Sequence, residues 1–439
     1  MKKLLSAFIA MVIMIGLLPA TGFAASEKVT IYGNSISVHA KQICFVIGDK
    51  DDTIINYMAE DYYAPGFKNY YYIPKETAVD FKVIAEKLPE LQNLAVVYGE
   101  VKNLSALADM KDLVWLGLYN NDGTEKLSFL KNLTQLKKFR YSNWDCESIK
   151  PVSYLKNVTE LYLDVRAKAA TDISPLKGLT KVKKLTIGYG GFEDLSALSG
   201  MKNLQELEVD STYLSDISAL EDLKKLTSLT INRTDSIKGA DIAKLSGLTY
   251  LELNNMEMKD FENITKLENL KSLSISGLTG ISVVRFNNAL AHMTQLEELV
   301  LVNMPIHNLN CLKGLKNLRE LGVLLSDIDD ISGIKNLTNL QTLYLTHNKI
   351  TDISALKKLT NLTYLNLNEN SIEDISPIKN LTKLKYLGLS NSYYFDDPSP
   401  ILKLTQLEEL YVPGTAVDEE FAKKYKKINP NCEITYKYD

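Results

Sequence analysis

The side chains best suited to binding chemistry are tyrosines, and four of them, Tyr344, Tyr364, Tyr386 and Tyr411, recur about once per turn of a repeating pattern. An exposed tyrosine joins a large contact area to a hydroxyl and few rotors, which suits recognition better than turnover. A second group is acidic: Glu206, Glu208, Asp210 and Glu252. Groups that do bond-breaking chemistry are scattered. His39, His292, His307 and His347 have no HExxH spacing for zinc and no Ser or Cys partner in register, and no GxGxxG or P-loop string follows a strand. Asp329-Asp330 and Asp396-Asp397 are pairs that turns usually keep solvated, and Asp49, Asp51 and Asp52 lack the rest of a calcium loop. No enzyme activity, cofactor or metal is expected.

These residues are positioned by a unit best seen in Leu359 to Asn380, LTNLTYLNLNENSIEDISPIKN. Leu365 and Leu367 alternate with Tyr364, Asn366 and Asn368, the period-2 signature of a short strand with one buried face. Ile372, Ile375 and Ile378 then recur every third residue, so the return path turns its branched side chains to the same core. Asn370 falls where the chain must bend, and its amide can pair backbone groups of its own and the adjacent coil. Counting the first leucine-type position, coils begin at Leu88, Met110, Leu133, Leu155, Leu179, Met201, Leu223, Leu245, Leu267, Met293, Leu315, Leu337, Leu359, Leu381 and Leu404. One coil cannot bury its core alone; stacked coils can.

The pattern resembles the leucine-rich-repeat family, and its DISPI or DISAL ending resembles the bacterial internalin-type subclass. The resemblance covers roughly Lys87 to Asp439. It implies an α/β repeat: a right-handed solenoid with a concave parallel β-sheet and short 3-10 or irregular convex segments, capped at both ends. Read this way, residues 1–24 are a signal peptide, 25–86 a cap or small module, 87–414 the array and 415–439 a C-terminal cap. Internalin-type proteins often continue into surface-attachment domains, and this sequence has no LPxTG-type motif near its C-terminus.

Departures from the unit mark special places. The second coil has an extra residue in Asn121 to Lys126, the third has Trp144 at the Asn position, and the fourth adds two residues in Arg166 to Thr171. The coil from Leu267 replaces DISAL with ISVVRFNNALAH, where Val283, Phe286, Leu290 and Met293 predict a true helical turn or two. Phe421, Tyr425 and Ile428 predict a capping helix, followed by an edge strand over Cys432 to Tyr436. In the N-terminal segment, Val29 to Val38 and Gln42 to Ile47 suggest a hairpin or small sheet, and Thr77 to Leu88 a helix. Tyr57, Tyr62, Tyr63, Tyr70, Tyr71 and Tyr72 cluster there, consistent with a cap on the first coil or a small ligand-binding module.

Met1 to Ala24 has Lys2 and Lys3, an apolar run from Leu4 to Leu18 and the small-residue end Gly22-Phe23-Ala24, which reads as a secretory signal too short to span a bilayer. A secreted or surface-held protein with no membrane span after cleavage is expected. A net charge of −4 argues against a nucleic-acid partner. The register keeps Cys44, Cys146, Cys311 and Cys432 too far apart to bridge, so buried free thiols are expected. The Asn-x-Ser/Thr strings at Asn132, Asn336, Asn361 and Asn380 are by-products of the repeat phrase. Read down the array, outward strand positions form columns: Lys138, Glu160, Lys184 and Glu206 alternate in sign, as cross-strand pairs do, whereas the tyrosines gather near the C-terminus. Gly322 and Gly388 are expected to leave notches beside them. The expected function is non-enzymatic recognition of a protein or glycan ligand on the concave face, by a monomer. Two alternatives remain: an enzyme or inhibitor module in residues 26–86 with the array as targeting arm, and a structural component of the cell envelope.

Overall fold

The computed structural model describes residues 28–48, 67–166, 169–234 and 237–438. The signal-like stretch, Asp49, Asp51, Asp52, Tyr57, Tyr62 and Tyr63 lie outside them. The chain forms two compact units, Met1–Leu204 and Gln205–Asp439.

In the first unit, parallel strands follow one another through Tyr70–Ile73, Gln42–Ile47, Asn93–Val97, Trp115–Tyr119, Lys138–Ser142, Glu160–Asp164 and Lys184–Gly190. A hairpin forms within the first of the two N-terminal segments, Lys28–Ile31 paired antiparallel with Asn34–Ser37. Gln42–Ile47 is not part of it, and pairs instead with the first strand of the repeats, Gln42 opposite Asn93. Its sequence explains this: QICFVI is apolar at successive positions, the mark of a strand buried on both faces. A helix follows at Phe81–Lys87, where the Asp80 carboxylate accepts from the Lys82 amide as N-cap.

The second unit runs in parallel from Glu206–Ser211 through successive coils to Glu409–Tyr411 and Glu433–Thr435. Strand partners follow the columns read from sequence, for example Thr342, Tyr364, Tyr386 and Glu409 side by side. All the coil-opening residues from Leu88 to Leu404 are buried. The long coil carries a ten-residue helix, Val283–His292, with Phe286, Ala289 and Leu290 inward. The C-terminal helix Glu419–Ile428 buries Phe421, Ala422 and Tyr425, while Ile428, expected to pack with them, is 43% exposed because the helix ends at it. This helix also serves the last coil's backbone: Tyr425 donates to the Leu404 carbonyl and Asn429 to that of Leu407.

Polar ladders bind coil to coil. Asn370 Nδ2 donates to Leu345 O of the preceding coil at 2.8 Å and to Leu367 O of its own, while its Oδ1 accepts from Ile350 N. Asn348 repeats the pattern on Val323 O and Leu345 O. In the third coil the position expected for the ladder is wrong by one residue. Asn143, not Trp144, is buried and donates to Asn121 O and Thr124 Oγ1, and Trp144 is half exposed. The reason is local: most coils leave the strand through one residue in the left-handed region, such as Asn120, His347, Glu369 or Asn391, and this coil has none there. The chain arrives one residue early.

Two further devices explain phrases in the repeat. In each DIS the Asp side chain accepts from the Ser amide, as Asp352 does from Ser354 and Asp374 from Ser376, and the turn so formed starts a 3-10 segment. Before the strand, Asn317, Asn339 and Asn361, each two residues after the coil-opening leucine, donate to Thr294 O, Lys316 O and Thr338 O, which makes a second ladder.

Candidate ligand-binding face

Strand alternation turns Tyr364 and Tyr386 away from Leu365 and Leu387, which are fully buried. Because the two tyrosines are register partners, their rings stack, with centroids 4.2 Å apart and planes within 4°. Tyr344 leans on Tyr364 at 4.7 Å and 43°. Tyr411 is partly exposed, one strand beyond Gly388 on Tyr344's column. Tyr344 differs from expectation: it is only 6% exposed, covered by the neighbouring ring. Burial pushes its phenol up to about 12 and raises those of Tyr364 and Tyr386 as well, so all three are neutral hydroxyls at physiological pH.

The expected notches are filled. A Cβ at Gly388 would come within 2.8 Å of Asn368 Oδ1 and 3.1 Å of the Tyr386 hydroxyl, and one at Gly322 within 3.3 Å of Leu324 Cδ1. Glycine at 388 therefore lets Tyr386 and the asparagines close over the backbone.

The acidic group is not an open patch either. Asp210 meets Arg233 Nε at 2.7 Å, and burial still raises its carboxyl. Glu252 accepts from the Tyr250 hydroxyl and lies 3.1 Å from Asn254 Nδ2. Glu206 and Glu208 stand on the strand that begins the second unit. Further along the same face, Glu298 is opposite Glu320, and Glu409 is opposite Glu433. Burial raises the Glu409 carboxyl, and the facing Glu433 raises it further.

In the first unit, Lys138 Nζ lies 2.8 Å from Glu160, the cross-strand pair expected there, and Arg140 stacks over Tyr162 at 4.7 Å. At its first strands the outward face is not a surface. Cys44, Val46, Ala95, Val97 and Tyr119 are fully buried, packed with Phe67, Tyr70, Tyr72, Tyr98 and Trp115. Sequence reasoning missed this second apolar cluster, though the unbroken runs QICFVI and LAVV signal it. It also missed the exposed contact of Trp144 with Tyr189, 5.9 Å apart, with Arg166 over the indole at 5.6 Å.

All four cysteines are free, but Cys311 is only partly buried, since it lies at the start of a 3-10 segment. Among the described residues no group of His, Cys, Asp and Glu could hold a metal ion. No helix among them is long and apolar enough to cross a membrane.

Parallel one-strand coils, inward leucines and asparagine ladders define the leucine-rich-repeat solenoid. The leucine-rich-repeat family model matches residues 324–372 and 338–393. The chain is similar to proteins of the internalin type within that class. It is similar to an internalin (InlF) of Listeria monocytogenes, with 29% identity over 68% of this chain and 87% of that one and a TM-score of 0.53. A leucine-rich-repeat protein of Leptospira interrogans is 22% identical over 80% of this chain and 91% of that one, with a TM-score of 0.51, a likeness of fold. No curated protein matches the chain in sequence.

Proposed function

We propose that this is a secreted, non-enzymatic recognition protein that binds a protein or glycan ligand on the outward face of its sheet, the concave side of a leucine-rich-repeat array. The observation that carries the reading is the stacked pair Tyr364 and Tyr386, held side by side by strand register with Tyr344 leaning on Tyr364, on a face that also shows Tyr411. Stacking fixes the rings before any ligand arrives, so little rotamer freedom is lost on binding. Export is supported by the signal-like Met1–Ala24. The test is to capture a ligand with the array and titrate it against a Tyr364→Ser, Tyr386→Ser double variant. Affinity is expected to fall by ~2 kcal/mol or more, with stability little changed because neither ring enters the leucine core. Equal affinity would move the site away from these residues.

A further inference from the structure

The outward face of the second unit is acidic along its whole row of strands. Across its strands the two outward columns, from Glu206 and Glu208 to Glu433 and Thr435, contain glutamates and no lysine or arginine. Like charges directly opposite on neighbouring strands are destabilising, yet Glu298 faces Glu320 and Glu409 faces Glu433. The first unit uses the stabilising arrangement instead, Lys138 against Glu160. Three cations of the second unit are engaged beside the face: Lys271 is 3.4 Å from Glu297, Lys385 is 2.7 Å from Glu408, and Arg233 holds Asp210.

The acidic pairs are not randomly placed. In register, Glu320, Thr342, Tyr364, Tyr386 and Glu409 occupy consecutive strands, so the tyrosine stack lies between carboxylates. Four strand steps separate Glu320 from Glu409, about 19 Å, which an extended chain covers in about six residues.

We infer that the ligand presents an extended polypeptide segment with two lysines or arginines about six residues apart, seated across the strands so that its cations reach Glu320 and Glu409 while its middle lies on Tyr364 and Tyr386. This rests on the recognition reading above and names its partner's chemistry. Lysine and arginine suit the arrangement because their apolar stems can cover ring edges while their charged ends reach the flanking carboxylates. A bound cation would also relieve the repulsion between Glu409 and Glu433.

The experiment uses the full chain and a synthetic peptide of threonine and valine carrying two arginines about six residues apart, with a second peptide in which glutamates replace the arginines. Calorimetric titration is expected to show binding of the first alone, weakening as salt rises. Glu320→Gln and Glu409→Gln should each weaken it by about fivefold, while Glu268→Gln, in a turn off the face, should not. Equal binding of both peptides, Gln variants indistinguishable from the parent, or an equal loss in Glu268→Gln would overturn the inference. The two readings fail separately. If the tyrosine double variant loses a captured ligand while the Gln variants keep it, the cation inference falls and the recognition reading stands. If that variant keeps its ligand, the recognition site itself falls. Thermal melts of each variant confirm folding, and Glu409→Lys should melt above the parent yet lose the arginine peptide.

Discussion

Each unit builds an inward core of the same kind, and the two use the outward side of their strands in opposite ways. At the first strands of the first unit, Cys44, Val46, Ala95, Val97 and Tyr119 make that side a second interior. In the second unit the same side carries Glu298, Glu320, Tyr364, Tyr386 and Glu409, all partly exposed. The repeat therefore dictates only half of each strand. Its leucines fix the inward residues, and the outward ones are free to become packing, ion pairs or a binding surface.

The two outward faces differ most at Tyr119. Although it points outward, Tyr119→Ala should destabilise by ~3–5 kcal/mol as a buried aromatic truncation, whereas Tyr364→Ser on the second unit's outward face should cost far less; urea unfolding of both decides it. Inward positions should not distinguish the units: Leu365→Ala and Leu161→Ala should each cost ~2–5 kcal/mol. A smaller effect tests the shifted ladder. Asn143→Ala and Asn370→Ala should both lose ~1–3 kcal/mol by leaving backbone carbonyls unpaired, while Trp144→Ala melts close to the parent. An equal loss at Trp144 would mean that the third coil keeps the regular register after all.

The smallest effects are electrostatic. Lys138→Glu should destabilise the first unit by ~0.2–1 kcal/mol and Glu433→Lys, opposite Glu409, should stabilise the second by a similar amount, with both differences shrinking in high salt. pH gives the same contrast. Because the folded-state pKa of Glu409 is raised, by burial and by Glu433, its contribution favours folding below the ordinary glutamate range and is lost as pH rises through the folded value. Glu409→Gln should thus be more stable than the parent at neutral pH, and the advantage should vanish in acid; an advantage that persists in acid would assign the gain to something other than charge.

The sequence made the inward half of the molecule legible because its signals are periodic. Leu365 and Leu367, the isoleucines of the return path and the Asn370 ladder lie where the spacing puts them, and the stacking of Tyr364 on Tyr386 followed from register alone. What escaped depended on single-residue shifts and on contacts between distant segments. Asn143 replaced Trp144 because one left-handed residue is missing, a backbone matter with no side-chain signature. The burial of Tyr344 depends on where a neighbouring ring leans. The outward cluster around Cys44 requires strand Gln42–Ile47 to join the repeats, which an unbroken apolar run suggests and does not prove.

The asparagine ladder has a direction. Asn121 donates to Tyr98 O, Asn143 to Asn121 O, Asn348 to Val323 O and Asn370 to Leu345 O, in each case backward to the coil before. The chain emerges N-terminus first, whether from a ribosome or from an export channel, so a coil with this ladder lacks its last donor until the next repeat has emerged. Such a coil then matures one repeat behind the emerging chain, and the C-terminal helix, supplying Tyr425 and Asn429 to the last coil, is the stop that ends the lag.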